Sequence, residues 1–186
     1  MGYTQKMIED PKQVIANAMP VYKDWPKPGI NYLNTVDICR DPKAFRQSLN
    51  FYYDIGAVKD VDHIVAADAR GFIWGSTTAW RLGIPLHVVR KKGKLPGELI
   101  SREYELEYGT DTLEMRKANI QGSVLVIDDV LATGGTAIAI VELLHDLGVH
   151  YRSITVACLV NISFLNGKHK LREMGVDVET LINVDE

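Results

Sequence analysis

The chain has little cysteine, with two residues, Cys39 and Cys158, among 186. Neither lies in a C-x-x-C or near a histidine at metal-ligand spacing, which excludes a disulfide scaffold and a thiolate zinc site. Two free buried thiols in a reducing compartment are expected. Long apolar runs are also missing. Ser153 to Gly167, the longest uncharged stretch of the C-terminal half, carries Asn161, Ser163 and Asn166; it falls short of the roughly 20 apolar residues that span a bilayer. Met1 to Asp10 has no apolar core of a signal peptide. A soluble, cytoplasmic protein with no membrane partner is expected. Positive charge is not in excess either: 21 Lys+Arg stand against 24 Asp+Glu, for a net charge of −3. No run of five or six like charges occurs, so the electrostatic footprint of a nucleic-acid binder is absent.

What is present is ordinary globular composition, 46% hydrophobic, with no internal repeat and no low-complexity tract. A single domain covering 1–186 is expected, large enough to bury roughly 70% of its unfolded surface. Strand and helix signals alternate. Asp41-Pro42 opens a helix, with Asp at the cap and Pro in the first turn, followed by Phe45, Leu49 and Tyr52 at helical spacing. His63 to Ala67, Val124 to Ile127 and Ile154 to Val160 are short apolar runs suited to buried strands, and Pro85 to Val89 reads as a further strand. Gly75 to Leu82 reads as a helix, as does the stripe Ala137, Ile140, Val141 and Leu144, which Gly148 terminates. This rhythm predicts an α/β fold, with a twisted, mostly parallel sheet of about five strands and helices on both faces. The segment 90–117 breaks the rhythm, being rich in charge and glycine without a continuous apolar face. It reads as a long flexible loop of the kind that forms a lid.

The chemistry concentrates in Val124-Leu-Val-Ile-Asp-Asp-Val-Leu-Ala-Thr-Gly-Gly-Thr136. A buried strand runs into two carboxylates, a small-residue loop follows, and a helix begins. Glycines let successive backbone N–H groups turn inward, and a helix N-terminus adds about half a positive charge, so Ala132, Thr133, Gly134, Gly135 and Thr136 suit a phosphate. The position, at the carboxyl end of a parallel strand, is where open α/β sheets bind ligands. Adjacent acids would repel that phosphate unless they face another part of the ligand. Asp128 and Asp129 could accept from neighbouring sugar hydroxyls or hold the water shell of a metal. No Gly-Lys-Ser/Thr follows and G-x-G-x-x-G is absent, so neither a P-loop nor a dinucleotide fingerprint is present. A sugar phosphate is the ligand class this combination suits.

This stretch resembles the phosphoribosyl pyrophosphate (PRPP) motif of the type I phosphoribosyltransferases. Arg70-Gly-Phe-Ile-Trp-Gly75 is similar to the family's R-G-F-x-x-G. Arg90-Lys-Lys-Gly-Lys-Leu-Pro96 and Tyr104-Glu-Leu-Glu-Tyr-Gly-Thr110 resemble the lid of its adenine branch. Trp25-Pro-Lys-Pro-Gly29 and Asn161-Ile-Ser-Phe-Leu-Asn-Gly167 are similar to two further segments of that branch. The resemblance runs in register over roughly 10–180. It departs where the usual F-R-D-[IV]-T reads Tyr32-Leu33-Asn34-Thr35-Val36, so an arginine and an aspartate are missing.

The resemblance implies a homodimeric enzyme that transfers the 5-phosphoribosyl group of PRPP to adenine. Hypoxanthine, guanine or xanthine is the alternative base. A non-catalytic PRPP-sensing regulator is a more distant reading. Residues 132–136 would hold the 5-phosphate, and Asp128 and Asp129 the ribose. Asp68, Ala69 and Arg70 would take the pyrophosphate, assisted by Arg90, Lys91 and Lys94, with Arg90 reaching a neighbouring subunit's site. Glu107 would assist proton transfer at the base, and Tyr108 would be a lid contact. Ile30 and Tyr32, from an N-terminal hood over 1–36, and Ile162 would flank the purine. Mg²⁺ would arrive with PRPP and be held mainly through it, without direct protein ligands.

Overall fold

The computed structural model describes residues 9–106 and 109–185, with the side chains of 105 and 106 left out. The chain divides into two compact units, Met1–Ser48 and Leu49–Glu186. In the first, α1 (Pro11–Asn17) is capped by Asp10, whose carboxylate accepts from the Lys12 N–H at 3.1 Å. Two short strands, β1 (Val21–Tyr22) and β2 (Tyr32–Leu33), pair antiparallel. The turn between them is closed by the Gly29 N–H, which donates to Asp24 at 2.7 Å. Trp25 and Tyr32 meet edge to face at 4.4 Å, and with Tyr22 and Asn34 they line a cavity of about 310 Å³. This unit extends beyond the 1–36 expected for the hood. After a 3-10 turn over Thr35–Arg40 it takes in the start of α2 (Pro42–Val58), where Asp41 accepts from Lys43 N at 2.8 Å and Ala44 N at 3.2 Å, as its cap reading requires.

The second unit is built on a seven-stranded sheet. In chain order its elements are β3 (His63–Ala67), α3 (Gly71–Leu82), β4 (Leu86–Lys91), β5 (Leu99–Leu106), β6 (Gly109–Arg116), β7 (Val124–Leu131), α4 (Gly135–Asp146), β8 (Ile154–Ile162), α5 (Gly167–Glu173) and β9 (Asp177–Val184). The strand order is β5-β6-β4-β3-β7-β8-β9. The five strands from β4 to β9 in that order are parallel; β5 and β6 add antiparallel pairs at one edge. Strands β3, β7 and β8 are buried along most of their length, which is why they read as apolar runs. Alternation along β3 puts helices on opposite faces. Val65 and Ala67 join the cluster containing Ile140 and Leu144 of α4. Ala66 faces α3, where a side chain on Gly75 would meet its Cβ at 2.6 Å.

The expected loop over 90–117 is largely ordered strand. β5 and β6 pair residue for residue from Leu99↔Arg116 to Leu106↔Gly109, and β6 continues the sheet through Val89↔Met115. Leu113, Glu114 and Met115 are buried. Arg102 fastens β5 to α4 through Glu142 at 3.3 Å and Asp146 at 2.8 Å. Among the described residues, no helix is long and apolar enough to cross a membrane.

Near the amino ends of β3 and β4, His87 Nε2 lies 3.1 Å from His63 Nδ1, and His63 Nε2 lies 3.1 Å from the Gln121 carbonyl. Burial, and then the charge of His63, lower the pKa of His87. The folded state therefore holds His87 neutral where the unfolded chain, titrating near pH 6.5, binds a proton. That contribution is complete above about pH 6.5 and is lost as pH falls toward the folded pKa. Thermal melts from pH 8 to 5 should show Tm dropping below about pH 6.5, and His87→Gln, which keeps an amide donor, should reduce the drop. Equal drops in the two proteins would remove His87 as its source.

Candidate active site

The site is a cleft at the carboxyl ends of β3 and β7. It has a volume of about 280 Å³ and is lined by Arg70, Tyr104, Asp128, Val130, Cys158 and the loop Leu131 to Ala137. Its floor is β7, which does not end at the two carboxylates as expected. The strand runs on to Leu131, paired with β8 as Asp128↔Cys158, Val130↔Val160 and Leu131↔Asn161. The two acids stay in contact through a hydrogen bond between their side chains, but they are placed differently. Asp128 stands on the cleft wall. Asp129 is 0% exposed and pairs with Arg70, Oδ2 to Nε, at 3.1 Å. Of the two acids expected at the ribose, Asp128 lines the cleft and Asp129 lies buried behind it.

Asp128 is held from several sides. Its Oδ1 accepts from the Asp129 N–H at 3.0 Å, and its carbonyl accepts from the buried Tyr52 hydroxyl at 2.7 Å. Burial, followed by the charge of Asp129, pushes its carboxyl well above the usual carboxylate range; Arg70 works in the opposite direction. Helix α3 starts at Gly71, directly against this point. A Cβ there would sit 2.6 Å from the Ile127 carbonyl and 3.3 Å from Asp128 Oδ1. Cys158 is a buried neutral thiol, its pKa raised by burial, and serves as packing beneath the cleft.

Between β7 and α4 only Ala132, Thr133 and Gly134 intervene. Gly134 has φ +87°, a left-handed conformation that favours glycine. Its carbonyl accepts from Ile138 N at 2.8 Å and starts the helix one residue before Thr136, so Gly135 and Thr136 lie in its first turn. Backbone N–H groups at such a terminus lack intrahelical partners and suit an anion.

The residues expected at the pyrophosphate are organised by ion pairs. Asp68 and Ala69, joined by a cis peptide bond, lead from β3 to Arg70. Arg90 Nε contacts Asp68 Oδ2 at 2.8 Å within this chain. Lys91 pairs with Asp111 at 2.9 Å, and that hydrogen bond raises its pKa. Lys94 is exposed on the same turn, where buried Glu114 accepts from Gly93 N at 2.8 Å. None of Arg90, Lys91 and Lys94 lines the cleft. Neither does Ile162, half-buried at the end of β8. Ile30 and Tyr32 lie in the first unit. Glu107 and Tyr108 fall outside the described residues. Val130, Leu131, Ala137, Cys158 and Tyr104 line the cleft without having been selected from the sequence, and Tyr104 is the one that comes from a distant element. It stands in a recognised segment, but only the hairpin's course shows that it reaches the cleft.

A carboxylate on β7, the arginine that caps α3 and a glycine-bearing loop opening α4 form one cleft, and similarity to known proteins agrees with that geometry. The phosphoribosyl transferase domain model matches residues 45–182, almost all of the second unit. The chain belongs to the adenine phosphoribosyltransferase family. It is 38% identical over 173 residues to the adenine phosphoribosyltransferase of Marinomonas sp., covering 92% of this chain and 95% of that one. The crystal structure of the Thermoanaerobacter pseudethanolicus adenine phosphoribosyltransferase superposes with a TM-score of 0.84 at 38% identity, covering 93% of this chain and 99% of that one. A Saccharomyces cerevisiae adenine phosphoribosyltransferase, complexed with D-2,5-dideoxy-2,5-imino-altritol 1,6-bisphosphate and adenine, superposes at 0.81 with 33% identity, covering 92% of this chain and 98% of that one.

Proposed function

We propose that this chain transfers the 5-phosphoribosyl group of PRPP to adenine, giving AMP and pyrophosphate. The observation that carries the reading is the single cleft that joins the loop at 132–136 to Asp128 and Arg70. The yeast relative, bound to adenine and an iminoalditol bisphosphate, supports the same pairing of ligands here.

In this reading the loop binds the 5-phosphate through backbone N–H groups and the Thr133 and Thr136 hydroxyls. Asp128 accepts from a ribose hydroxyl. Arg70, oriented by Asp129, meets the pyrophosphate with Asp68 and Ala69, and Arg90, Lys91 and Lys94 add positive charge around it. In the reaction the bond from the anomeric carbon to pyrophosphate oxygen breaks, and a bond from that carbon to a purine nitrogen forms. Positive charge grows on the ribose and negative charge on pyrophosphate, so Asp128 stabilises the first and the cations the second. The nitrogen's proton leaves through Glu107 in the lid, beside Tyr108. Ile30, Tyr32 and Ile162 are the candidates for contact with the purine.

Among the described residues, no group of three or more His, Cys, Asp or Glu is placed to hold a metal ion. Asp128 on the lining fits an ion that brings most of its ligands with the substrate. Mg²⁺ bound with PRPP would neutralise charge on the leaving pyrophosphate. A homodimer in the cytoplasm completes the proposal.

Incubating the purified protein with PRPP, Mg²⁺ and each purine base in turn tests it. Adenine should be consumed with AMP formed in equal amount. Consumption of hypoxanthine, guanine or xanthine instead would reassign the base. No turnover with any base, together with PRPP binding, would favour the regulator. The lid residue has its own test. Glu107→Gln should lower kcat with little change in the KM for PRPP, whereas Glu105→Gln should be mild. The reverse result would mean that the wrong lid acid has been chosen.

A further inference from the structure

We infer that Gly167, the first residue of α5, is a positioning residue for the loop over 132–134, and that its missing side chain sets the level at which that loop stands. Gly167 is buried. A Cβ built on it would lie 2.3 Å from the Ala132 carbonyl oxygen, 2.7 Å from Gly134 N and 2.9 Å from the Thr133 carbonyl carbon. These are all backbone atoms, which cannot swing aside as a flexible side chain can. The contact is reciprocal: a Cβ on Gly134 would lie 3.0 Å from Gly167 Cα and 3.3 Å from its carbonyl oxygen. Two attachments hold the surfaces together. The Gly167 N–H donates to the Ala132 carbonyl at 3.2 Å, and Lys170 Nζ donates to the Thr133 carbonyl at 3.4 Å.

Helix α5 is anchored on its other side, because Leu171 is 0% exposed in the core cluster. An added methyl group at Gly167 therefore displaces the three-residue loop. Gly167 does not have a positive φ, so alanine is compatible with its backbone. A Gly→Ala change in such a place ordinarily stabilises slightly by restricting the unfolded chain. Any loss of function must come from the contact with the loop, not from the helix.

The inference rests on the reading of 132–136 as the 5-phosphate cradle. In the full chain, Gly167→Ala should raise the KM for PRPP by about tenfold to a hundredfold, the scale of one charge-assisted hydrogen bond. The KM for adenine should stay unchanged, as should kcat at saturating PRPP. In direct titrations the Kd for ribose 5-phosphate should rise by a similar factor, and the Kd for pyrophosphate should not. A merely structural role would lower Tm and weaken all ligands alike. A folded Gly167→Ala variant with the wild-type KM for PRPP would overturn the inference. If that variant does not fold, Lys170→Met removes the bond to Thr133 and leaves Gly167 intact; a two- to threefold rise in the KM for PRPP supports the inference, and no change overturns it. Thr136→Val separates the two levels. If it raises the KM for PRPP while Gly167→Ala does not, only this inference fails. If neither has an effect, the cradle reading fails with it.

Discussion

Asp128→Asn should lower kcat by about a hundredfold or more, the range found when a preorganised group facing transition-state charge is removed. The substitution keeps the shape of the side chain and removes the negative charge from the cleft wall. Because the folded protein holds Asp128 with a raised pKa through burial and the neighbouring Asp129, ionising it at neutral pH works against folding. A raised carboxyl favours the folded state below the unfolded value near 3.9, and the advantage is lost as pH rises through the folded pKa. Asp128→Asn should thus melt at or above wild type at pH 7.5, with the difference shrinking as the pH is lowered toward 4. Asp129→Asn should behave differently. Asp129 is 0% exposed and paired with Arg70, so its loss should lower Tm and weaken pyrophosphate binding, with kcat falling because Arg70 is no longer held. Turnover and melting curves of the two variants decide the matter. Wild-type turnover in both would make the carboxylates ordinary acids.

The difference between these two residues was not legible in the sequence for a definite reason. If the strand is taken to stop at Ile127, Asp128 and Asp129 both look like loop acids with a shared task. If it continues, Asp128 lines the cleft while Asp129 lies buried against Arg70, the two carboxyls still in contact. Val130 and Leu131 carried the signal, two apolar residues continuing the run beyond the acids. The hairpin β5–β6 was missed because its stability comes from cross-strand pairing and from burial of a few residues such as Leu113 and Met115. Charged residues between these hide any apolar face. Strand β9 was missed for a similar reason: Val178 is buried, but Glu179 and Thr180 beside it are only partly so at the sheet edge. Strands β3, β7 and β8 were visible because both their faces are covered, which leaves a continuous apolar run. Gly167 and Tyr104 depend on which elements meet in space, and no local pattern encodes that. The residues nominated for the pyrophosphate show a further limit. Spacing can gather Arg90, Lys91 and Lys94 into a cationic turn, but not reveal that Asp68 and Asp111 engage two of them.

Gly134→Val should abolish measurable PRPP binding while leaving the fold intact. The simplest argument, that a side chain would occupy the phosphate's place, is not the one the geometry supports. A Cβ at Gly134 points toward Gly167 Cα at 3.0 Å and Ile138 Cδ1 at 3.4 Å. The effect comes instead from the backbone. Gly134 has φ +87°, where an L-residue costs about 1–2 kcal/mol and a β-branched one fits worst. The loop must rotate to relieve both that conformation and the contact with Gly167. Rotation turns its N–H groups away from the phosphate, and each charge-assisted bond lost costs about 1.5–3 kcal/mol, or roughly tenfold to a hundredfold in affinity. Two such losses take a micromolar ligand beyond ordinary titration. The rest of the sheet should hold, because the change lies in a three-residue connection between β7 and α4. Gly134→Ala meets the same backbone restriction with a smaller group and should give an intermediate loss. Calorimetric titration with PRPP, alongside far-UV circular dichroism, measures both quantities. A folded Gly134→Val protein that binds PRPP as wild type does would show that the phosphate is held elsewhere.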